Sequence, residues 1–175
     1  FKRLPGEDTD PTRVLVTGVP GIGKTSLCHA ILDDVVNNTG VFTGFDFPYL
    51  IKFRKVNLIG KEKITFQSLL FDVNGPTVST SDRPKLWKHL EDNQKNILLL
   101  LDGYDEAEGL GAHFNKGLTG HFSGTGTEAP PQQLLYNLIK GSLLPEACVL
   151  ITARPQSTLP LMECMSDIAK EGQVR

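Results

Sequence analysis

Gly18-Val19-Pro20-Gly21-Ile22-Gly23-Lys24-Thr25 is the stretch that decides how this chain folds. It follows a short apolar run, Val14-Leu15-Val16, and opens into Ser26-Leu27-Cys28-His29-Ala30-Ile31-Leu32. The order is a buried strand, a glycine-rich turn and an amphipathic helix, and the spacing G-x-x-x-x-G-K-[ST] is met at every fixed position. Gly18, Gly21 and Gly23 let the backbone turn sharply and bring its N–H groups toward phosphate oxygens. The helix that starts near Lys24 adds its positive end to the same place. Lys24 is placed to reach the β and γ phosphates, and the Thr25 hydroxyl to ligate Mg²⁺. The expected nucleotide-contacting set is Gly18, Pro20, Gly21, Ile22, Gly23, Lys24, Thr25 and Ser26.

Two later strands bear on the same site. Residues 97–101, Ile-Leu-Leu-Leu-Leu, are the most apolar run in the chain, and they end at Asp102. A carboxylate at the carboxyl end of a buried strand costs free energy unless a cation compensates. In a phosphate-loop protein that cation is Mg²⁺, so Asp102 is expected to hold it together with Thr25. Asp105 and Glu106 follow at once and offer a base or a water-orienting group. Cys148-Val149-Leu150-Ile151 is a second continuous apolar strand, ending in Thr152-Ala153-Arg154-Pro155. If that strand lies beside the first, Arg154 stands where a γ-phosphate would be and can sense or stabilise its charge.

The bulk properties narrow the class. The chain has 175 residues, 39% of them hydrophobic and 22% charged, which suits one globular domain. A net charge of -2 provides no basic field for nucleic acid. Cys28, Cys148 and Cys164 show no metal-like spacing and read as reduced, mostly buried thiols of a cytoplasmic protein. No signal peptide is evident, and no apolar run approaches the roughly 18 residues of a membrane span. The chain begins at Phe1 rather than Met, so it is expected to be part of something longer.

The remaining segments complete an alternating α/β pattern. Residues 1–12, with Pro5-Gly6 and Pro11, read as a lead-in, and 13–175 as the nucleotide-binding domain. A first strand spans 13–17, and its helix fades at Asn37-Asn38-Thr39-Gly40. Tyr49–Phe53, with an extension toward Leu58, is the second strand. Residues 64–73 are expected to be helical, with Phe66, Leu69, Leu70 and Val73 on one face. Asp82 is expected to cap a helix running to about Asn93, packed through Leu86, Trp87 and Leu90. A glycine-rich loop, 107–131, carries His113 and His121, read as surface groups. A helix over 132–143 buries Leu134, Leu135, Leu138 and Ile139. A last helix over 158–170 is expected to turn Leu161, Met162, Met165 and Ile168 inward. His29 reads as packed or solvated, without a chemical role.

The phosphate loop, the run LLLLDGYDE over Leu98–Glu106 and LITARP over Leu150–Pro155 together resemble the NACHT domain, a nucleotide-binding switch of the STAND class of phosphate-loop NTPases. The middle motif is the most diagnostic: a small residue, Gly103, follows the metal-binding aspartate, and an acidic pair, Asp105-Glu106, comes soon after. The Arg54-Lys55 turn after the second strand also fits. The resemblance covers about residues 12 to 168. It implies a three-layer α/β/α fold around a parallel sheet of order 2-3-4-1, with a fifth strand cut off at the C-terminus. It implies that Gly18, Gly23, Lys24 and Thr25 bind the triphosphate and Asp102 holds Mg²⁺. Asp105 or Glu106 would orient the attacking water, and Arg154 would read the γ-phosphate. It further implies an ATP/ADP switch with slow, Mg²⁺-dependent hydrolysis in an innate-immune or cell-death receptor of the NOD-like type. Such receptors carry effector and repeat modules in cis and self-associate. The loop over 107–131 is longer than the family leads one to expect, and the winged-helix half that contributes a histidine is absent. This chain alone is therefore expected to bind nucleotide weakly.

Other phosphate-loop classes fit less well. Asn115-Lys116-Gly117-Leu118 lacks the aspartate that selects guanine, and no D-x-x-G follows Asp102, which disfavours a GTPase. No LSGGQ-like signature marks a transporter ATPase. A metabolic kinase or another ATPase enzyme stays as the alternative, although no arginine-rich substrate lid is visible. Intact Lys24, Asp102 and Glu106 speak against a scaffold with a degenerate site.

Overall fold

The apolar run at 97–102 becomes β3 (Ile97–Asp102), buried at every position. Its uninterrupted hydrophobicity follows from its place in the sheet, with helices over both faces. Alternation along the strand then divides it: Ile97, Leu99 and Leu101 join one core cluster, and Leu98 and Leu100 the other. The computed structural model describes residues 12–40, 42–74, 78–107 and 126–163. The 107–131 loop with His113 and His121, and Cys164, Met165 and Ile168, lie wholly or mostly outside these residues.

Around β3 stand β1 (Arg13–Thr17), β2 (Phe47–Lys52) and β4 (Cys148–Ala153), in the order β1-β4-β3-β2. Read from the other edge this is the expected 2-3-4-1. All three pairings are parallel, with Thr17 opposite Ala153, Leu101 opposite Ile151 and Lys52 opposite Asp102. This register brings the carboxyl ends of β1, β4, β3 and β2 to one rim, where ligands bind in open α/β sheets.

One face of the sheet packs α1 (Lys24–Asn37), which buries Cys28, Ile31 and Val35 against Leu98, Leu100 and Leu150. The other face carries the larger cluster. There lie α2 (Phe53–Asn57), α3 (Phe66–Ser68, continued as a π-helix over Leu69–Asn74), α4 (Arg83–Asp92) and α5 (Pro131–Ile139). The result is the three-layer α/β/α architecture expected.

The elements differ from the sequence reading at a few boundaries. β2 starts at Phe47 and stops at Lys52, and the next five residues are helical instead of extended. The buried positions show why: Tyr49 and Ile51 alternate, but Phe53 and Val56 are three apart. Pro48 is tolerated because β2 is an edge strand and needs no ladder donor on its outer side. In the 66–74 segment Leu69, Leu70 and Phe71 are all buried, so Phe71 takes the inward place expected of Val73, which is half-buried. The Asp82 carboxylate does not cap α4; it accepts from the Ser79 hydroxyl at 2.5 Å. Trp87 is a packing residue, edge-on to Phe66 and Phe71. α5 stops at Ile139, short of 143, because Gly141 adopts a left-handed φ of 79°. Beyond β4, Leu161 is buried but Met162 is 56% exposed, contrary to its expected inward place. Adjacent helical positions point about 100° apart, and Leu161 occupies the inward one.

A buried arginine ties the opposite rim together. Arg13, 8% exposed, donates from its guanidinium to the carbonyls of Leu138 (3.0 Å), Ile139 (3.3 Å), Leu144 (3.4 Å) and Ala147 (2.6 Å). These are the last carbonyls of α5 and the turn into β4; those of Leu138 and Leu144 also accept the N–H groups of Gly141 and Ala147, at 3.1 Å each. Arg13→Met keeps the apolar stem but removes the charged donor from all four carbonyls, so it is expected to cost about 3 kcal/mol. A urea midpoint equal to that of the parent chain would contradict this anchoring role.

Candidate functional site

The phosphate loop joins β1 to α1 at the carboxyl rim. Gly21 and Gly23 have φ of 79° and 102°, where any side chain is strained, although no atom crowds either position. A Cβ at Gly18 would meet Ile22 Cγ2 at 2.7 Å, so the exposed Ile22 side chain would have to move aside. The N-terminus of α1 has no side-chain cap and no acidic residue in its first turn. Its free N–H groups therefore remain open to an anion. Gly21, Ile22, Gly23, Thr25 and Ser26 are exposed, as a ligand-facing loop requires. The Lys24 ammonium folds back over the loop and donates to the carbonyls of Gly18 (2.6 Å) and Val19 (3.2 Å).

The tips of β3 and β4 close the site. Thr25 Oγ1 donates to Asp102 Oδ2 at 2.9 Å, joining two residues 77 positions apart. Thr152 Oγ1, fully buried, donates to Asp102 Oδ1 at 2.8 Å and accepts from the Gly103 N–H at 2.9 Å. Gly18 N–H donates to the Ala153 carbonyl at 3.2 Å, so β4 also holds the start of the loop. Asp102 is 8% exposed and makes no ion pair among the described residues.

The acidic turn after β3 is built by Gly103, whose φ of 82° takes the chain off the strand into a short helical turn, Tyr104–Glu106. Tyr104 packs edge-on against Phe53 beneath it. Arg154 Nε lies 2.7 Å from Asp105 Oδ2, and the Asp105 side chain is largely covered. Arg54 Nε stands 3.9 Å from Glu106 Oε2; both are well exposed, so this contact carries little stability. Asn57 Nδ2 donates to the Glu106 carbonyl at 2.6 Å.

The structure thus brings Lys24, Thr25, Asp102, Asp105, Glu106 and Arg154 to one rim. Pro20 and Ile22 form the outer wall of the loop. The sequence reading missed the roles of Thr152, Arg54 and Asn57. A threonine on the buried α1-facing side of β4, after Cys148 and Leu150, was the available signal for Thr152. Nothing in the sequence marked Arg54 and Asn57 as partners of Glu106, because the helical turn that aims them replaces an expected strand.

The donor set fits Mg²⁺. Among the described residues no cluster of three or more His, Cys, Asp or Glu could cage a metal alone. Mg²⁺ instead takes one or two protein oxygens and completes its shell with phosphates and water. Asp102 and Thr25, adjacent and beside an uncapped helix N-terminus, are the residues that would supply that pair. His29, on the exposed side of α1, has its Nε2 3.2 Å from Lys52 Nζ and does not reach the loop.

The NACHT domain family model matches residues 12–173. The chain belongs to the NACHT family. It is 32% identical over 146 residues to Protein NLRC5 of Homo sapiens, covering 83% of this chain and 7% of that protein. It is 31% identical over 156 residues to NACHT, LRR and PYD domains-containing protein 3 of Macaca mulatta (85% and 13%). The corresponding figures for protein 12 of the same series from Homo sapiens are 31% over 148 residues (83% and 13%). The chain therefore spans only 7 to 13% of the length of these curated relatives. No helix among the described residues of this NACHT chain is long and apolar enough to cross a membrane.

Cys28 lies just inside the loop, on the inner side of α1. Burial pushes its thiol up to about 12; Asp102 adds to the effect and Lys52 opposes it. A buried acid with a raised folded-state pKa stabilises the fold fully below its unfolded value, near 9, and loses that contribution as pH climbs toward 12. Any stability advantage of the parent chain over Cys28→Ala is therefore expected to shrink between pH 9 and 10.5. Urea midpoints measured across that window check it, and a constant difference would mean that the thiol is not shielded.

Proposed function

We propose that this NACHT chain is the nucleotide-binding switch of an innate-immune signalling receptor, holding ATP or ADP with Mg²⁺ at the carboxyl rim of its sheet. The observation that carries the reading is the meeting of Thr25 and Asp102 at 2.9 Å beside the uncapped start of α1. The loop N–H groups and the helix end bind the phosphates, and Lys24 exchanges its two carbonyl partners for phosphate oxygens. Thr25 and Asp102 would hold the metal ion, Asp102 directly or through water, and the ion would supply neutralisation of phosphate charge.

Arg154 is the reader of the γ-phosphate. In the present arrangement its guanidinium is held by Asp105, so reaching a phosphate means giving up that ion pair. Asp105 and Glu106 are the candidates for orienting water, and each is engaged by an arginine. Asp105 is ion-paired with Arg154 at 2.7 Å, so its Oδ2 has to give up that partner before it can orient a water. That supports slow hydrolysis, in keeping with a switch more than with a metabolic enzyme. The relatives' names include LRR and PYD modules. Repeat and effector modules in cis, self-association and a cytoplasmic location are proposed for this protein on that likeness.

Lys24→Ala removes the charge that meets the phosphates and is expected to lower ATP affinity at least about tenfold, since hydrogen bonds to charged groups contribute about 1.5–3 kcal/mol. Calorimetry showing unchanged affinity would sink the site. Arg154→Ala is expected to lower the preference for ATP over ADP while leaving ADP binding near the parent value. An unaltered ratio of the two dissociation constants would remove Arg154 from the sensor role.

A further inference from the structure

We propose that Thr152 is the positioning residue that fixes the Asp102 carboxylate in its metal-binding orientation and thereby sets the Mg²⁺ affinity of the site. The inference rests on the nucleotide-binding reading above. A hydroxyl has one proton and two lone pairs. Thr152 spends the proton on Asp102 Oδ1 at 2.8 Å and accepts the Gly103 N–H at 2.9 Å. The backbone amide thus settles the hydroxyl rotor, and the hydroxyl settles the carboxylate. Threonine is β-branched and stiff about χ1, so the Oγ1 position is itself held by the strand.

The alternative is that Thr152 only ties β3 to β4. Leu98–Leu101 already pair with Cys148–Ile151 through the backbone. At a fully buried site between Leu150 and the loop, valine would fill the same space without a polar group to satisfy. What the hydroxyl adds is direction. The terminal torsion of an aspartate is broad and roughly two-fold. With Oδ1 committed to Thr152, Oδ2 is left facing Thr25, 2.9 Å away, which is the side on which the other metal oxygen stands. Without Thr152 the carboxylate is free to turn, and the Gly103 N–H loses its acceptor.

The test compares the parent chain with Thr152→Val and Thr152→Ser, titrated with ADP by calorimetry in excess Mg²⁺ and in EDTA. Loss of an outer-shell partner typically costs 10- to 100-fold in metal affinity, so Thr152→Val is expected to need at least about tenfold more Mg²⁺ to reach half of its metal-supported ADP affinity. Its affinity in EDTA stays at the parent value, and Thr152→Ser, which keeps the hydroxyl, restores the Mg²⁺ requirement. A Thr152→Val variant with an unchanged Mg²⁺ requirement overturns the proposal. So does an equal loss of affinity with and without metal, which is what a purely structural tie produces. If Thr152→Val does not fold, Thr152→Cys, with its weak thiol donor, carries the same comparison. A parent chain that binds ADP equally with and without Mg²⁺ overturns the metal role of Asp102 and this inference together. A parent chain that binds no nucleotide at all overturns the nucleotide reading and, because phosphates complete the metal shell, this inference with it, whereas an unchanged Thr152→Val beside a parent that binds Mg²⁺-ADP overturns this inference alone.

Discussion

The buried carboxylate of Asp102 is the constraint around which this rim is arranged. It ends a strand whose other five residues are leucine or isoleucine, and it is itself only 8% exposed. Three carboxylates stand within five residues of one another here, and they are treated differently. Asp105 has Arg154 and Glu106 has Arg54, whereas Asp102 has two hydroxyls, from Thr25 and Thr152, and no cation. Hydroxyl donors satisfy lone pairs but leave the charge uncompensated. The most buried acidic residue among those described is thus one that no cation of the described residues compensates, as the metal ion proposed above would.

The lysine of the loop shows the complementary imbalance. Its ammonium rests on two carbonyls and meets no carboxylate among the described residues, although Asp102 lies on the same rim, one strand beyond β4. The cation and the anion of the rim are kept apart instead of neutralising each other. A direct ion pair between them would stabilise the empty site and compete with a nucleotide. Holding Lys24 with neutral oxygens and Asp102 with neutral hydroxyls keeps both charges available, at a cost that the surrounding strand pairing and the two core clusters sustain.

Much of this was legible in the sequence because it rests on local rules. The glycine spacing of the loop, the unbroken run at 97–101 and the aspartate that ends it each have one cheap structural solution, and the parallel sheet follows from alternating strand and helix signals. The failures have equally physical causes. The change from alternate to every-third burial between Ile51 and Val56 occurs within a single apolar stretch, so a strand was extended where a helix begins. Of the two adjacent residues expected inward, Leu161 is buried and Met162 exposed, because neighbouring positions of one helix point about 100° apart. The partners of Glu106 come from that same misread helix. Arg13 gave no sequence signal of burial, because its acceptors are backbone carbonyls more than 120 positions away.

The tip of β4 brings these threads to one place. Three consecutive residues there touch three different parts of the site: Thr152 the Asp102 carboxylate, the Ala153 carbonyl the first N–H of the loop, and Arg154 the acidic turn. Strand backbone is stiff, and successive side chains leave it on opposite faces. Thr152 therefore shares a face with Asp102, to which it bonds, while Ala153 packs into the larger core. Arg154 directly follows the segment that bonds the Asp102 carboxylate and the start of the loop. The loop, the Asp102 carboxylate and the acidic turn are thus held relative to one another through the tip of a single strand.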